Sequence, residues 1–318
     1  MSPVTPTDRP AASIVTVADY KAGAAEAWDA LRLTLEGLAR QDYAGPVEFL
    51  LVEAAAASAA IPPDVLEILP GLKVVRAEGR TSYDFKNAGA RAASSDFVVL
   101  LDADCAPHPG WLRAVMEHRR RHPEAAAISG RTLYKGEGLL PRVLALIDRS
   151  YVDCGRPGPT KAISNNNAGF AREVLLDFPL QNEVGPFGSR PHADQIMAAG
   201  GELRFEPGMI AYHGFGGWSM EEHDRQNVGF SMTRYRQLNP SARHAWMFRL
   251  GYGGIPLILG MSTIGSWRRC IKLASGYGIR WFEVPIACAL AVRAHAMEIP
   301  GIRLAMRGEE LGTGNAYR

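Results

Sequence analysis

The stretch VVLLDADCAPHPGWL, Val98–Leu112, sets an unbroken aliphatic run directly against two aspartates one residue apart. A short apolar run of this kind reads as a strand buried on both faces, with its last residues emerging at a sheet edge. Desolvating a carboxylate is costly unless something positive compensates it. Asp102 and Asp104 leave the strand end close together, and such a pair suits a hard divalent cation that itself grips a diphosphate. Asp-x-Asp also occurs in ordinary surface turns. Those three letters alone therefore leave both readings open.

Working outward, SIVTV (Ser13–Val17), VEFLLVE (Val47–Glu53), LKVVRA (Leu72–Ala77) and DFVVLLD (Asp96–Asp102) are further apolar runs, with helix-compatible Ala-rich segments between several of them. Trp28, Leu31, Leu35 and Leu38 fall on one face at helical spacing. Apolar strands alternating with helices imply an α/β fold with a mostly parallel sheet covered on both faces. Ligands of such sheets sit at the carboxyl ends of the strands, which places Glu53, Asp102 and Asp104 along one rim. Further strands are expected at AAISGRTLY (Ala126–Tyr134) and near ELRFEPGMIAYH (Glu202–His213).

With 318 residues and 47% hydrophobic content, the chain is long enough for one large α/β domain and an appendage. Its 35 Lys+Arg against 33 Asp+Glu leave a formal charge of +2, so no global field argues for nucleic acid, and any anion site is local. Cys105, Cys154, Cys270 and Cys288 lack the close pairing of a disulfide framework or zinc site and fit a reducing compartment. The opening MSPVTPTDRPAAS has no signal-peptide pattern and reads as a flexible lead-in over residues 1–12, so a cytoplasmic protein is expected.

The character changes after about Gly214. GGIPLILGMSTIG (Gly253–Gly265) and WFEVPIACALAV (Trp281–Val292) are apolar but shorter than the roughly 20 residues that span a bilayer. Basic WRRCIK (Trp267–Lys272) lies between them. Peripheral contact with an anionic membrane at the inner face of the plasma membrane is one reading. Packing against the body or against a second subunit of an oligomer is the other. The expected division is a lead-in to residue 12, a catalytic domain over 13–215 and a helical region over 216–318.

YDFKNAGARAASSDFVVLLDADCAPHPGWL (Tyr83–Leu112) resembles the central signature of the family 2 glycosyltransferases of GT-A fold, and the likeness extends from about Ser13 to His213. The resemblance implies transfer of a sugar from a nucleotide-diphosphate donor to an acceptor hydroxyl, with Mg²⁺ or Mn²⁺ as cofactor and UDP as the default nucleotide. Work on cell-surface glycan, polysaccharide or glycolipid would follow. By that likeness Asp102 and Ala103 contact the donor and Asp104 binds the metal. Ala18, Asp19 and Tyr20 match the nucleotide-base loop, and Lys86 is placed to meet phosphate charge. Glu53 stands where the family usually shows Asp before a Gly-Ser turn, but Ala54-Ala55-Ala56 follow it here.

AISNNNAGFAREVL (Ala162–Leu175) resembles the segment under the donor sugar, so Asn165, Asn166 and Asn167 become sugar contacts or, for one of them, a helix cap. Where the family places an acidic pair at a helix start, this chain reads His192-Ala193-Asp194. Asp194 is the best match for the catalytic base of an inverting transfer, with His192 orienting it or simply replacing the first acid. His213 resembles the histidine that completes the metal site. Gly216–Phe230 carries no Q-x-x-R-W, which favours single addition over processive synthesis, and Trp218 either stacks on an acceptor sugar or packs the appendage. A sugar-nucleotide-binding protein without transfer activity is the alternative. A nucleotidyltransferase would need a phosphate cradle after the first strand, which the single Lys21 and Gly23 do not make.

Overall fold

The computed structural model describes residues 9–17, 25–55, 58, 61–79, 81–185 and 187–311. Its strands are β1 (Ala12–Val17), β2 (Val47–Ala54), β3 (Lys73–Ala77), β4 (Phe97–Asp102), β5 (Cys105–Pro107), β6 (Ala127–Tyr134), β7 (Gly158–Pro159), β8 (Asn167–Ala171) and β9 (Leu203–His213). They form one mixed sheet in the order β3-β2-β1-β4-β8-β6-β9-β5, with β7 paired to β9. The helices flanking or preceding the site are α1 (Ala25–Ala39), α2 (Pro63–Glu67), α3 (Ser82–Ala92), α4 (Trp111–Arg121), α5 (Leu139–Arg149), α6 (Arg172–Asp177) and α7 (Ser189–Ala198). After β9 come α8 (Gly217–Leu238), α9 (Ile255–Leu273), α10 (Val284–Ala296) and α11 (Ile299–Arg307).

Strand β1 pairs in parallel with both β2 and β4, and every one of its residues is buried, as expected for a central strand covered on two faces. Ile14 enters a core layer with Leu31, Leu35, Leu112 and Val115, while Val15 and Val17 enter the opposite layer with Phe170 and Ile196. The period-2 alternation of a strand thus feeds both layers from one short segment. Helix α3 is fixed at its start by a capping box, Thr81 accepting from the Asp84 amide while Asp84 accepts from the Thr81 amide. At Gly89 a Cβ would collide with Val15, so the missing side chain lets α3 lie tight on the sheet.

The parallel half of the sheet ends at β8, which runs antiparallel to both β4 and β6. Gly169 in β8 lies against the Phe97 ring, where a Cβ would collide. Strand β6 then pairs in parallel with β9 through a register shift: Gly130 faces Glu206, whereas Arg131 faces Ile210. Residues 207–209 bulge out between those pairs. Gly130 accommodates the bulge, since a Cβ there would strike the Met209 carbonyl.

The helices beyond β9 are fastened by a buried ionic cluster. Arg225 of α8 meets Glu221 at 2.7 Å, Glu298 at 3.1 Å and Asp148 of α5, while His295 of α10 meets Glu298 at 2.7 Å. Among the described residues, no helix is long and apolar enough to cross a membrane.

Candidate functional site

The sheet register brings the sequence-distant rim residues together. Val17, the last residue of β1, lies opposite Val52 on one side and Asp102 on the other, so Glu53 and Asp102 flank the end of the same strand. Asp102 is buried, and Lys86 of α3 is the positive charge that compensates it. Its Nζ stands 2.6 Å from Oδ1, with the two side chains 1% and 9% exposed. The Lys86 ammonium is therefore already engaged with Asp102. Burial pushes the Asp102 carboxyl up and the Asp104 charge adds to this, while Lys86 pulls the other way.

Asp104 lies beyond the strand end. The antiparallel pairing of β5 with β9 sets Cys105 directly opposite His213, and this places His213 Nε2 3.1 Å from Asp104 Oδ2. Ligand atoms of Asp104, Cys105 and His213 lie within 4.8 Å of one another. Burial works against the charged form of Asp104, but the charge and hydrogen bond of His213 outweigh it and hold the carboxyl well below the usual range. Burial likewise disfavours the imidazolium, and Asp104 outweighs it to raise His213. The Cys105 thiol is pushed far up by burial and by both aspartates, so it stays protonated and donates to Asp104 Oδ1 at 3.4 Å. A carboxylate and an imidazole without a thiolate suit Mg²⁺ or Mn²⁺ completed by diphosphate oxygens, and not a thiolate-rich zinc site.

Glu53 is buried at the end of β2, where its Oε1 accepts the Ala54 amide at 2.7 Å; burial raises its carboxyl above the usual range. Ala103 is buried with both backbone groups engaged, its amide on Val17 and its carbonyl accepting from Thr34 Oγ1 at 2.8 Å. Ala18, Asp19 and Tyr20 lie outside the described residues.

The three asparagines have three different surroundings. Asn167 is fully buried and staples the fold: its Oδ1 accepts from Trp111 Nε1 at 2.8 Å, and its Nδ2 donates to the Met209 carbonyl at 3.2 Å. Asn166 borders the rim, its carbonyl accepting the Asp102 amide at 3.2 Å and its side chain accepting from Ser164 at 2.5 Å. Asn165 is buried with neither amide atom hydrogen-bonded to any described residue. A buried amide of that kind calls for a polar partner.

Asp194, on α7, is held from two sides. Arg190 contacts both carboxylate oxygens, NH2 to Oδ1 at 2.7 Å and Nε to Oδ2 at 3.1 Å, and the Tyr235 hydroxyl of α8 donates to Oδ2. His192 is buried beside the Phe170 ring, and burial lowers it to about 4, so it is neutral at physiological pH. The Trp218 ring packs toward the C-terminal helices and carries the Arg293 guanidinium 3.9 Å from its centre.

Two residues without any sequence motif also belong to this neighbourhood. Arg149, at the end of α5, lies over the Tyr134 ring at 5.5 Å, and that ring lies 5.6 Å from the His213 ring. Asp224 of α8 sits 3.9 Å from Arg149, and burial pushes its carboxyl up against the opposing pull of Arg149 and His213. Arg149 thus adds a permanent positive charge beside the Asp104–His213 pair.

Residues 23–177 match the family model for glycosyl transferase family 2. Two curated proteins of Mycobacterium tuberculosis, the Pre-mycofactocin glycosyltransferases of strains CDC 1551 / Oshkosh and ATCC 25618 / H37Rv, are each 29% identical over 138 residues. The matched segment covers 40% of this chain and only 29% of those relatives' length. Among solved structures, mannosyltransferase PcManGT from Pyrobaculum calidifontis in complex with GDP-Man and Mn²⁺ superposes with a TM-score of 0.61 at 16% identity, over 96% of this chain and 89% of that one. GalNAc-T7 with UDP, GalNAc and Mn²⁺ superposes with a TM-score of 0.50 at 15% identity, over 65% of this chain and 44% of that one. At such identities the likeness is one of fold, the GT-A arrangement of a mixed sheet between helices.

Proposed function

We propose that the chain, whose residues 23–177 match the family model for glycosyl transferase family 2, transfers a sugar from a nucleotide-diphosphate donor to an acceptor hydroxyl, one residue at a time and with inversion. The observation that carries this reading is the Asp104–His213 pair, set beside Asp102 at the carboxyl end of the sheet with Arg149 close by. Asp104 and His213 would hold Mg²⁺ or Mn²⁺, which when bound neutralises a diphosphate. The chain's own residues do the rest. Arg149 adds positive charge where the leaving diphosphate gathers negative charge. Asn165 offers a buried amide to donor hydroxyls, and Glu53 offers a carboxylate to an N–H of the donor base. UDP is the default donor nucleotide, although the solved neighbours carry GDP in one case and UDP in the other. Synthesis of cell-surface glycan, polysaccharide or glycolipid is the role that fits such a reaction.

Asp194 is assigned the acceptor proton. A carboxylate has about four lone-pair sites, so Arg190 and Tyr235 leave room for an acceptor hydroxyl while fixing the orientation of the group. A second reading, donor binding without transfer, draws on the same observation, because both oxygens of Asp194 already have partners.

Release of nucleoside diphosphate from a panel of donors, with Mn²⁺ and with chelator, tests both readings. Asp104→Ala is expected to abolish metal-dependent turnover, and undiminished turnover refutes the metal assignment. Asp194→Asn is expected to keep donor affinity and lose about 10²–10⁴-fold in rate, the range of a general base. Tight donor binding by the parent protein with neither transfer nor hydrolysis selects the second reading.

A further inference from the structure

Beyond the chemistry of the site, the helices after β9 leave an apolar face that no other described residue covers. Twelve of the sixteen large hydrophobic side chains exposed among the described residues lie between Trp246 and Val292. On α9, Leu257, Met261, Ile264 and Ile271 follow the three- and four-residue spacing of one helical stripe, yet all are exposed, Ile271 at 69%. Trp281, 84% exposed, stands before α10 together with Phe282, and Ile286 and Val292 continue along that helix. The two helices pack side by side: Ser266 meets His295 at 2.8 Å, and Trp267 donates to the Cys288 carbonyl at 2.8 Å. That antiparallel pairing sets Trp267 and Ile271, late in α9, beside the start of α10, where Phe282 and Ile286 lie.

The charge of the same segment is one-sided. Arg243 to Arg307 holds nine Lys/Arg against two acids, Glu283 and Glu298, leaving 26 Lys/Arg against 31 Asp/Glu in the rest of the chain. Glu298 is buried against Arg225 and His295, whereas Arg268, Lys272, Arg280 and Arg293 are exposed among the apolar side chains. Exposed apolar side chains concentrated in this way, rimmed by charge, mark an interaction surface. A Trp and a Phe beside cationic heads are what a lipid headgroup boundary receives, the apolar parts entering it and the charges meeting phosphate. A second copy of the chain would bring like charge against like across a symmetric contact. We propose that the α9–α10 face, with Trp281 and Phe282 at its leading edge, docks on an anionic phospholipid surface without crossing it.

Vesicle co-sedimentation of the full chain tests this, using phosphatidylcholine vesicles with and without phosphatidylglycerol. The parent protein is expected to bind the anionic vesicles at least about tenfold more tightly than the neutral ones, a difference that vanishes at about 1 M salt, where the screening length falls to about 3 Å. Trp281→Ser/Phe282→Ser/Ile286→Ser is expected to lose at least about tenfold on anionic vesicles. Arg268→Glu/Arg280→Glu is expected to lose about 25-fold or more, taking about fivefold per basic residue as the least. All five side chains are exposed, and an unchanged melting temperature verifies the fold of each variant. No binding by the parent overturns the proposal, as does equal binding to neutral vesicles or binding that survives either variant. Light scattering that shows a dimer abolished by the triple substitution assigns the face to a second copy and overturns it too. None of these readouts uses sugar transfer, so failure of the proposed activity and failure of this proposal are separable.

Discussion

Replacing Lys86 by Met removes the countercharge of a buried carboxylate. The 2.6 Å separation and the 1% and 9% exposures make this the most enclosed ion pair at the rim. With an effective dielectric of about 20, two unit charges at that distance attract by about 6 kcal/mol, against a desolvation penalty of several kcal/mol per ion. The net value of the pair is small, but the cost of leaving Asp102 alone is not: about 3–5 kcal/mol at neutral pH. Without Lys86 the Asp102 carboxyl rises further above its ordinary value, because burial and Asp104 then act unopposed. A carboxyl raised in the folded state is penalised only while ionised, so the deficit is full at pH 7–8 and shrinks as acid protonates it. Urea unfolding of Lys86→Met at a series of pH values measures this, and Lys86→Met/Asp102→Asn closes a double-mutant cycle expected to recover most of the loss. A Lys86→Met deficit below about 1 kcal/mol at pH 7, or one independent of pH, refutes the assignment of Lys86 as the countercharge.

Glu48 lies under the opposite end of the sheet, where Ser13 Oγ at 2.6 Å, the Ser94 amide and hydroxyl at 2.8 Å and Lys73 Nζ at 2.9 Å surround it. Burial would raise its carboxyl, but these donors bring it down to about 2 from 4.5. Its contribution of at most about 3 kcal/mol is complete above about pH 4.5 and disappears toward pH 2, so Glu48→Gln flattens the acid limb of the stability–pH curve. Arg225→Met removes the guanidinium shared by buried Glu221 and Glu298 and half-buried Asp148, and calorimetry is expected to show a loss of about 3–5 kcal/mol. Breaking the exposed Arg9–Asp96 pair is expected to leave the melting temperature unchanged.

The parallel half of the fold was legible because its strands are aliphatic and buried twice over. The runs Ser13–Val17, Val47–Glu53, Leu72–Ala77 and Asp96–Asp102 each became a strand with ends moved by no more than a residue. Strand β8 was hidden, since NAGFA has no β-branched residue; its small side chains answer to Phe97 across the pair and not to strand propensity. Strand ends placed Asp104 on the rim, but its pairing with His213 was implied by the family resemblance, and the thiol of Cys105 beside them was not foreseen. Lys86 was legible as a cation near the site but not as a buried one, because a lysine's partner is chosen by tertiary approach, here the tight seat of α3 at Gly89. Arg190 stands four residues before Asp194, a spacing that announces a helical ion pair, whereas nothing in the sequence pointed to Tyr235. Arg149 and Asp224 carry no pattern at all, and only the tertiary approach of α5 to α8, through the Arg149–Asp224 and Asp148–Arg225 pairs, brings them together.

The bulge at residues 207–209 imposes a length rule on this part of the chain. An odd number of extra residues separates the two paired halves of β9, and side chains on a strand alternate faces. Removing one residue there is expected to draw Tyr212 out of its place opposite Ala106 and to turn the imidazole of His213 away from Asp104, which a loss of metal affinity would report. Single-residue insertions and deletions between Glu206 and Ile210 thus act at a distance, on a histidine several residues downstream.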